Sequence, residues 1–570
     1  SLTEEQKEAL MGSLDFEQLD ARHTSIKSAH AKTCKWILKK SEYVDWLNPS
    51  LLVQHHGFLW IKGKPGAGKS TLMKFALANA RRTMKNKIII NFFFNARGDD
   101  LEKSTIGMYR SLLLQLLTQL PALKSVFDSL GPVQSSRGCP NWNLELLKTL
   151  FETAIQRLGN TPLVCFINAL DECDESQIRE MVSFWGHLGE LAVVKKLSFL
   201  VCYSSRHYPH ITIDTGHISL ILERQEGHVQ DIVNYVDTEL KIGKTKLAEK
   251  IRIELQEKAS GVFMWVVLVV QILNKEHDSG RIHLLRQRLK AIPGDLHELF
   301  RDILIRDPQN ENELLLCLQW VLFSRTPLKP EQLYFAIIAA AGPDSVFQWD
   351  RDEISEGDIM RYILHCSKGL AEATKSKQPT IQFIHESVRD FLLKDRGLNS
   401  LWPGLGDQIE KQSYEQLKQS CLQYIRADTW NDKEIRNDVP TPLTPQPDGT
   451  GKHISDSFPF LAHAVCNVLY YADKAGSCGI SQEDFVKEFS ELDYLQRWIG
   501  LHNLFEKLQV RRYTLQASLL YILAEADTPN LIGYYHPITS CLDVEEQRYG
   551  CPLLAAIATK SNRSLQAFRE

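Results

Sequence analysis

Residues 57–80, GFLWIKGKPGAGKSTLMKFALANA, constrain the fold more than any other stretch of this 570-residue chain. A short apolar strand runs into a turn holding Gly63, Pro65, Gly66 and Gly68, and the turn opens directly into a helix, which is the context a P-loop requires. The glycines let the backbone wrap around phosphates with its N–H groups turned inward, where side chains would block the approach. The helix N-terminus adds attraction for an anion. Over Gly63, Lys64, Pro65, Gly66, Ala67, Gly68, Lys69, Ser70 and Thr71 the pattern predicts a nucleotide-binding loop. Lys69 is expected at the β- and γ-phosphates, Ser70 on Mg²⁺ and Thr71 near the α-phosphate.

Two later runs supply what such a loop needs next. Residues 162–167 (PLVCFI) are apolar and lead to Asn168, Asp171 and Glu172, while residues 197–203 (LSFLVCY) lead to two serines and Arg206. Both read as strands buried on two faces. In a parallel sheet their carboxyl ends share an edge with the P-loop, so acids and an arginine converge on the terminal phosphate and its metal.

Together, LWIKGKPGAGKSTLMKF, FINALDEC and SSRHYPHI resemble the NACHT domain of fungal NLR-like proteins, members of the STAND class of signalling NTPases. The resemblance runs, with falling specificity, from about Ile26 to the C-terminus. It implies an α/β P-loop NTPase domain with a parallel five-stranded sheet, in which the sensor strand lies between the P-loop strand and the strand ending at Asn168. That order puts Arg206 over the γ-phosphate. The family pattern carries Asp at the position of Asn168, ahead of the acidic pair matching Asp171 and Glu172. An amide oxygen still accepts a bond from a metal-bound water, but it lacks the charge that holds Mg²⁺. Magnesium, expected at Ser70, Asn168 and Asp171, should be held less firmly, and hydrolysis should suffer more than binding because Glu172 remains to orient or activate water. By the same resemblance Phe383, Ile384 and His385, followed by ESVRDFL, look like the winged-helix motif whose histidine bonds the β-phosphate of ADP.

Beyond the sheet, apolar residues recur at three- and four-residue spacing, which predicts helices. The expected organisation is an N-terminal helical linker (1–50), the NACHT nucleotide-binding domain (51–218), a first helical domain (219–282), a winged-helix domain (283–400), a second helical domain (401–545) and the start of an ankyrin array (546–570). Gly261, Val262 and Phe263 lack the proline of the Gly-x-Pro that touches the base in related NTPases, so Phe263 is expected to pack. Residues 436–454, rich in Pro, Thr, Gly and Asp, read as an exposed loop. Near the end, YGCPLLAAIA places Pro552, Leu553 and Ala556 at the offsets of the ankyrin signature, and the array is expected to continue past Glu570.

The 66 basic and 70 acidic residues give no global attraction to nucleic acid or anionic membrane. A winged helix raises DNA binding, but residues 314–340 offer only Arg325, Lys329 and few other bases. Twelve scattered cysteines without a CxxC pair argue for reduced thiols, a cytoplasmic location and no structural metal. The longest apolar run, Gly261 to Leu273, is shorter than the roughly 18 residues a membrane span needs and reads as a buried helix. The opening SLTEEQKEAL has neither a basic nor an apolar leader region.

Two functions remain. In the first, the chain is a signalling switch: ADP holds a closed monomer and ATP favours a self-assembling form, with GDP and GTP as the other possible pair. Its setting would be fungal innate immunity or non-self recognition leading to regulated cell death. An elicitor would act through C-terminal repeats, and an effector domain N-terminal to this sequence would carry the output. In the second, it is a conventional P-loop ATPase or GTPase whose output is turnover. The lack of a second substrate site or metal cluster, together with the FIHESV block, favours the switch, with slow NTP hydrolysis at most.

Overall fold

The structure, a computed structural model, describes residues 2–569 apart from 17–20, 31–32, 97, 131–141, 208–215, 306–309, 341–347, 375, 377, 395–396, 427–449 and 536–539. Most of the loop expected at 436–454 and the last four residues of SSRHYPHI therefore lie outside the described residues. The chain divides into two units, Ser1–Asp302 and Ile303–Glu570.

The first unit is built on five strands: β1 (Phe58–Lys62), β2 (Ile88–Phe93), β3 (Leu163–Asn168), β4 (Phe199–Ser205) and β5 (Ile218–Ile221). All pairings are parallel, in the order β2-β3-β4-β1-β5. The strands are apolar at successive positions because both faces are covered. Phe58, Trp60, Ile90, Cys165, Val201 and Tyr203 point into a core shared with helices Thr105–Gln119, Leu144–Gln156 and Glu175–Lys195. Leu59, Ile61, Ile89, Val164, Phe166 and Cys202 point the other way, onto Leu72, Met73, Ala76, Leu77 and Ala80 of the P-loop helix Lys69–Thr83. That spacing is the apolar stripe of one helix face.

Residues 2–14, expected in a linker, instead complete the first of these cores. The helix Glu4–Leu14 starts at a Thr3/Gln6 capping box and buries Leu10 and Leu14 beside Leu2. Arg110 then donates to the carbonyls of Ser13 and Leu14 and closes the helix end. After β5 come helices Glu226–Glu239, Lys246–Ala259 and Phe263–Asp278. The apolar run 261–273 lies in the last of these, with Trp265, Val266, Val269 and Leu273 buried. Among the described residues no helix is long and apolar enough to cross a membrane.

In the second unit, helices Glu311–Phe323, Pro330–Ala339 and Glu356–Cys366 precede an antiparallel pair, β6 (Ala371–Ala373) and β7 (Ile381–Phe383). Helices follow, including Glu386–Leu393, Ile409–Arg426, Leu461–Ser477 and Leu492–Phe505. A single apolar core runs from Leu316 through Trp320, Tyr424, Phe460 and Trp498 to Ala555. The segments expected as separate bodies over 283–400, 401–545 and 546–570 thus share one interior from Ile303 onward, and the division between units falls at Asp302, inside the first of them.

Candidate nucleotide-binding site

Strand register builds the site. Lys62, the last residue of β1, pairs with Ser205 of β4, and Asn168, the last residue of β3, pairs with Phe93 of β2. Gly63, Asn168 and Arg206 therefore leave the sheet along one edge. The Gly63 N–H donates to Ser205 O at 3.3 Å and fixes the start of the loop. Gly66 sits at φ +72°, and a Cβ there would meet Met264 Cβ at 3.0 Å and Leu296 Cδ2 at 3.2 Å. Only glycine suits both the left-handed backbone and the close approach.

The loop is also tied to the helices that follow the sheet. Gly66 O accepts the Met264 N–H at 2.9 Å, and Lys64 Nζ donates to Ser260 O at 3.2 Å. Phe263, beside them, packs edge-on against Tyr235 with ring centres 5.1 Å apart, which is the packing role expected of it.

Lys69 Nζ donates to the carbonyls of Gly63 at 2.8 Å and Lys64 at 3.0 Å, so its ammonium lies inside the curve of the loop. The protein packed around it pushes the Lys69 ammonium down to about 8, while Asp171 opposes that fall. Its neighbour Ser70 is held by Asn168, whose Nδ2 donates to Ser70 Oγ at 3.1 Å. Asn168 Oδ1 in turn accepts the Ser204 hydroxyl at 2.8 Å, and Ser204 Oγ accepts the Ala169 N–H at 3.0 Å. The amide is thus satisfied at both ends while wholly buried.

Ala169 stands at φ +61°, a left-handed conformation that costs about 1–2 kcal/mol in a residue with a Cβ. The kink turns the chain into the short helix Leu170–Glu172, which carries the two acids. Asp171 takes the Arg206 backbone N–H on Oδ1 and its Nε on Oδ2, both at 2.8 Å. Burial raises the Asp171 carboxyl above its ordinary range despite Lys69 and Arg206. Glu172 accepts the Ala96 N–H at 3.1 Å and faces Arg22 at 3.4 Å.

Lys69, Ser70, Asn168, Asp171 and Arg206 are therefore joined by direct contacts or by shared electrostatics at one edge. His385 belongs to the second unit, where it caps the helix Glu386–Leu393 by accepting the Ser387 N–H on Nδ1 at 3.0 Å. Four residues at the edge carried no role in the sequence reading: Arg22, Ser204, His207 and Glu223. Glu223 accepts the Lys64 N–H at 3.3 Å and pairs with His207 Nε2 at 2.5 Å. Burial would raise the Glu223 carboxyl, but the His207 and Lys64 contacts outweigh it and hold it below the usual range. Ser204 and His207 lay within a quoted motif; Arg22 and Glu223 are set by tertiary contacts that no local pattern announces.

The donor chemistry fits magnesium in one respect. Ser70 offers a hydroxyl oxygen, and Mg²⁺ takes most of its other ligands from phosphates and water. Asn168 adds a neutral oxygen, and both Asp171 oxygens are already engaged by Arg206.

Residues 32–206, spanning β1 to β4, match the family described as Nephrocystin 3, N-terminal. Over 406 residues the chain is 27% identical to the vegetative incompatibility protein HET-E-1 of Podospora anserina, an alignment covering 66% of this chain. Both matches support a NACHT-type STAND protein. It spans 28% of the length of that relative. The placement of β4 between β1 and β3 is the order that the NACHT resemblance implied. Two solved structures are more distant. A STAND protein with a tetratricopeptide repeat sensor from Pyrococcus horikoshii is 14% identical, with 92% of this chain and 63% of that one covered, at a TM-score of 0.35. A Walker-type ATPase of Pyrococcus abyssi is 11% identical, with 65% and 99% covered, at a TM-score of 0.30. At these scores neither adds to the sheet order described above.

Proposed function

We propose that the chain is a nucleotide-dependent signalling switch, closed with ADP and self-associating with ATP, in which hydrolysis is slow. The observation that carries this reading is the buried Asn168, a neutral amide bonded to the Ser70 hydroxyl at the position where the family pattern has a carboxylate. A site built to turn over nucleotide keeps negative charge beside its metal, whereas a site built to hold nucleotide does not require it.

On binding, the Lys69 ammonium would exchange the carbonyls of Gly63 and Lys64 for the β- and γ-phosphates, and Thr71 would lie at the α-phosphate. Backbone N–H groups of the loop and the helix N-terminus would receive the remaining phosphate charge. Magnesium would be held by Ser70 and would supply neutralisation of phosphate charge. Arg206 would face the γ-phosphate while Asp171 fixes the direction of its guanidinium. His385 would bond the β-phosphate of ADP and hold the winged-helix segment closed, with loss of that bond releasing it.

The relative's printed name, a vegetative incompatibility protein, supports a role in fungal non-self recognition, with regulated cell death as its output. In that setting an elicitor would act through ankyrin repeats that begin near Pro552, and the ATP form would assemble with copies of itself. Identification of the nucleotide released on denaturing the purified protein tests the reading. Retained ADP or ATP is expected; an empty site, or steady turnover well above once per second, contradicts it.

A further inference from the structure

The carboxylate of Glu172, the water-orienting base of the switch reading, is already engaged at both oxygens. Oε2 accepts the Ala96 N–H, and Oε1 faces Arg22 Nη2 across 3.4 Å. The two side chains retain only 11% and 8% of their exposure, so solvent screens the pair little. The guanidinium also acts on buried Glu102, whose carboxylate takes Asn95 Nδ2 at 2.9 Å. Burial raises the Glu102 carboxyl above its ordinary range, and Arg22 opposes that rise. One arginine thus serves two acids, Glu102 in the loop after β2 and Glu172 just after β3.

Arg22 comes from outside the sheet, on the short helix Ala21–Ser25. That segment is fastened to the nucleotide site from two further directions. Lys74, one turn into the P-loop helix, donates to His23 O at 2.9 Å and Ile26 O at 2.6 Å. The His23 ring meets the edge of Phe93, the last residue of β2, at 5.1 Å. Arg22 Nε, however, is buried with no hydrogen-bond partner among the described residues. An unmet buried donor carries a desolvation penalty, so this placement of the guanidinium is less favourable than a fully bonded one.

We propose that Arg22 is a positioning residue that keeps Glu172 turned away from the attacking water, so that the segment 21–26 sets the rate of hydrolysis. The proposal rests on the nucleotide-switch reading. In the restrained step, the water oxygen bonds the γ-phosphorus, the β,γ-bridging P–O bond breaks with its electrons on ADP, and Glu172 takes the water's proton. A base in that step needs an oxygen aimed at the nucleotide. Here one oxygen points to the β2 loop and the other to the N-terminal segment. Movement of residues 21–26 would break the Arg22 contact along with the Lys74 bonds to His23 and Ile26, while the contacts of Lys69 within the loop do not involve this segment, which connects whatever acts on the N-terminal side to the lifetime of bound ATP.

Single-turnover ATP hydrolysis and displacement of a fluorescent ADP test this on the full chain. Arg22→Gln is expected to raise the hydrolysis rate constant by about tenfold, a fraction of what a positioned base contributes, with ADP affinity within about twofold of the parent. Arg22→Lys, which retains the charge, should show a smaller gain. Arg22→Gln combined with Glu172→Gln should lose the gain entirely, an outcome that a merely structural counter-ion does not produce. If Arg22→Gln fails to fold, Lys74→Met loosens the same segment and should speed hydrolysis in the same direction. Unchanged or slower hydrolysis with ADP affinity intact overturns the proposal, as does a gain that survives Glu172→Gln. A parent protein that binds no ADP overturns the switch reading, and this proposal with it.

Discussion

Replacing Asn168 by aspartate changes one group and leaves the rest of the sheet edge in place. Its Oδ1 bond from Ser204 at 2.8 Å is retained, but the 3.1 Å contact to Ser70 must reverse, because an aspartate oxygen has no proton to give. The Ser70 hydroxyl then donates to residue 168 and turns its lone pairs toward a cation. A magnesium ion at about 2.1 Å from that hydroxyl lies no more than about 5 Å from the new oxygen. At an effective dielectric of about 20, the attraction is about 7 kcal/mol gross. Desolvation removes several kcal/mol of it. The remaining 1.5–3 kcal/mol, roughly, corresponds to a 10- to 100-fold lower magnesium concentration at half-saturation, the range found for groups that support metal ligands. Without magnesium the sign reverses, because a buried carboxylate lacking its cation lowers stability by about 1–3 kcal/mol. Magnesium titrations of fluorescent ATP binding, with melting curves in chelator and in magnesium ATP, check both halves. Asn168→Asp should melt below the parent in chelator and above it with magnesium ATP, and should hydrolyse faster in a single turnover. Equal half-saturation and parallel melting curves would refute the argument about this residue.

Three further outcomes follow from other contacts. Lys69→Ala should abolish nucleotide retention and the ligand-dependent stabilisation, which is about 2.7 kcal/mol at a hundredfold excess over Kd; an unchanged melting shift with nucleotide would remove the site from this loop. His385→Ala should lose the cap on the helix Glu386–Leu393, about 1 kcal/mol. It should also loosen ADP and favour assembly, and unaltered ADP affinity would confine the histidine to capping. His463 is buried against Phe460 and Trp320, and burial pushes its imidazole down to about 3. Because the unfolded chain binds that proton first, its stabilising share is full above about pH 6.5 and falls as pH drops toward 3, by about 2 kcal/mol at pH 5. Denaturant titrations at pH 7 and pH 5 should show the loss, and His463→Phe should flatten it, with Tyr471 Oη still accepting the Arg325 N–H at 3.2 Å.

The P-loop and the strands before Asn168 and Arg206 were legible because strand, turn and helix are local, and a parallel sheet brings carboxyl ends to one edge whatever lies between them. The role of residues 2–14 was not legible. Only Lys7, Leu10 and Leu14 of the helix Glu4–Leu14 are buried, too few to stand out from a surface helix. The Arg22–Glu172 pair spans 150 residues and the Lys64–Glu223 bond 159, and neither has a spacing that periodicity can detect. Asn168 shows both limits. Its residue type marked the departure from the family pattern, but its bonds to Ser70 and Ser204 depend on how β3 and β4 align.

The central claim, a switch whose assembly follows the bound nucleotide, is tested most directly by the particle mass of the purified chain in light scattering, measured with magnesium ADP and with a non-hydrolysable ATP analogue at the same protein concentration. The account predicts one chain per particle with ADP and a defined multiple with the analogue, reversed on exchange back to ADP. The same mass in both nucleotides, with binding of each confirmed on the same sample, would contradict it.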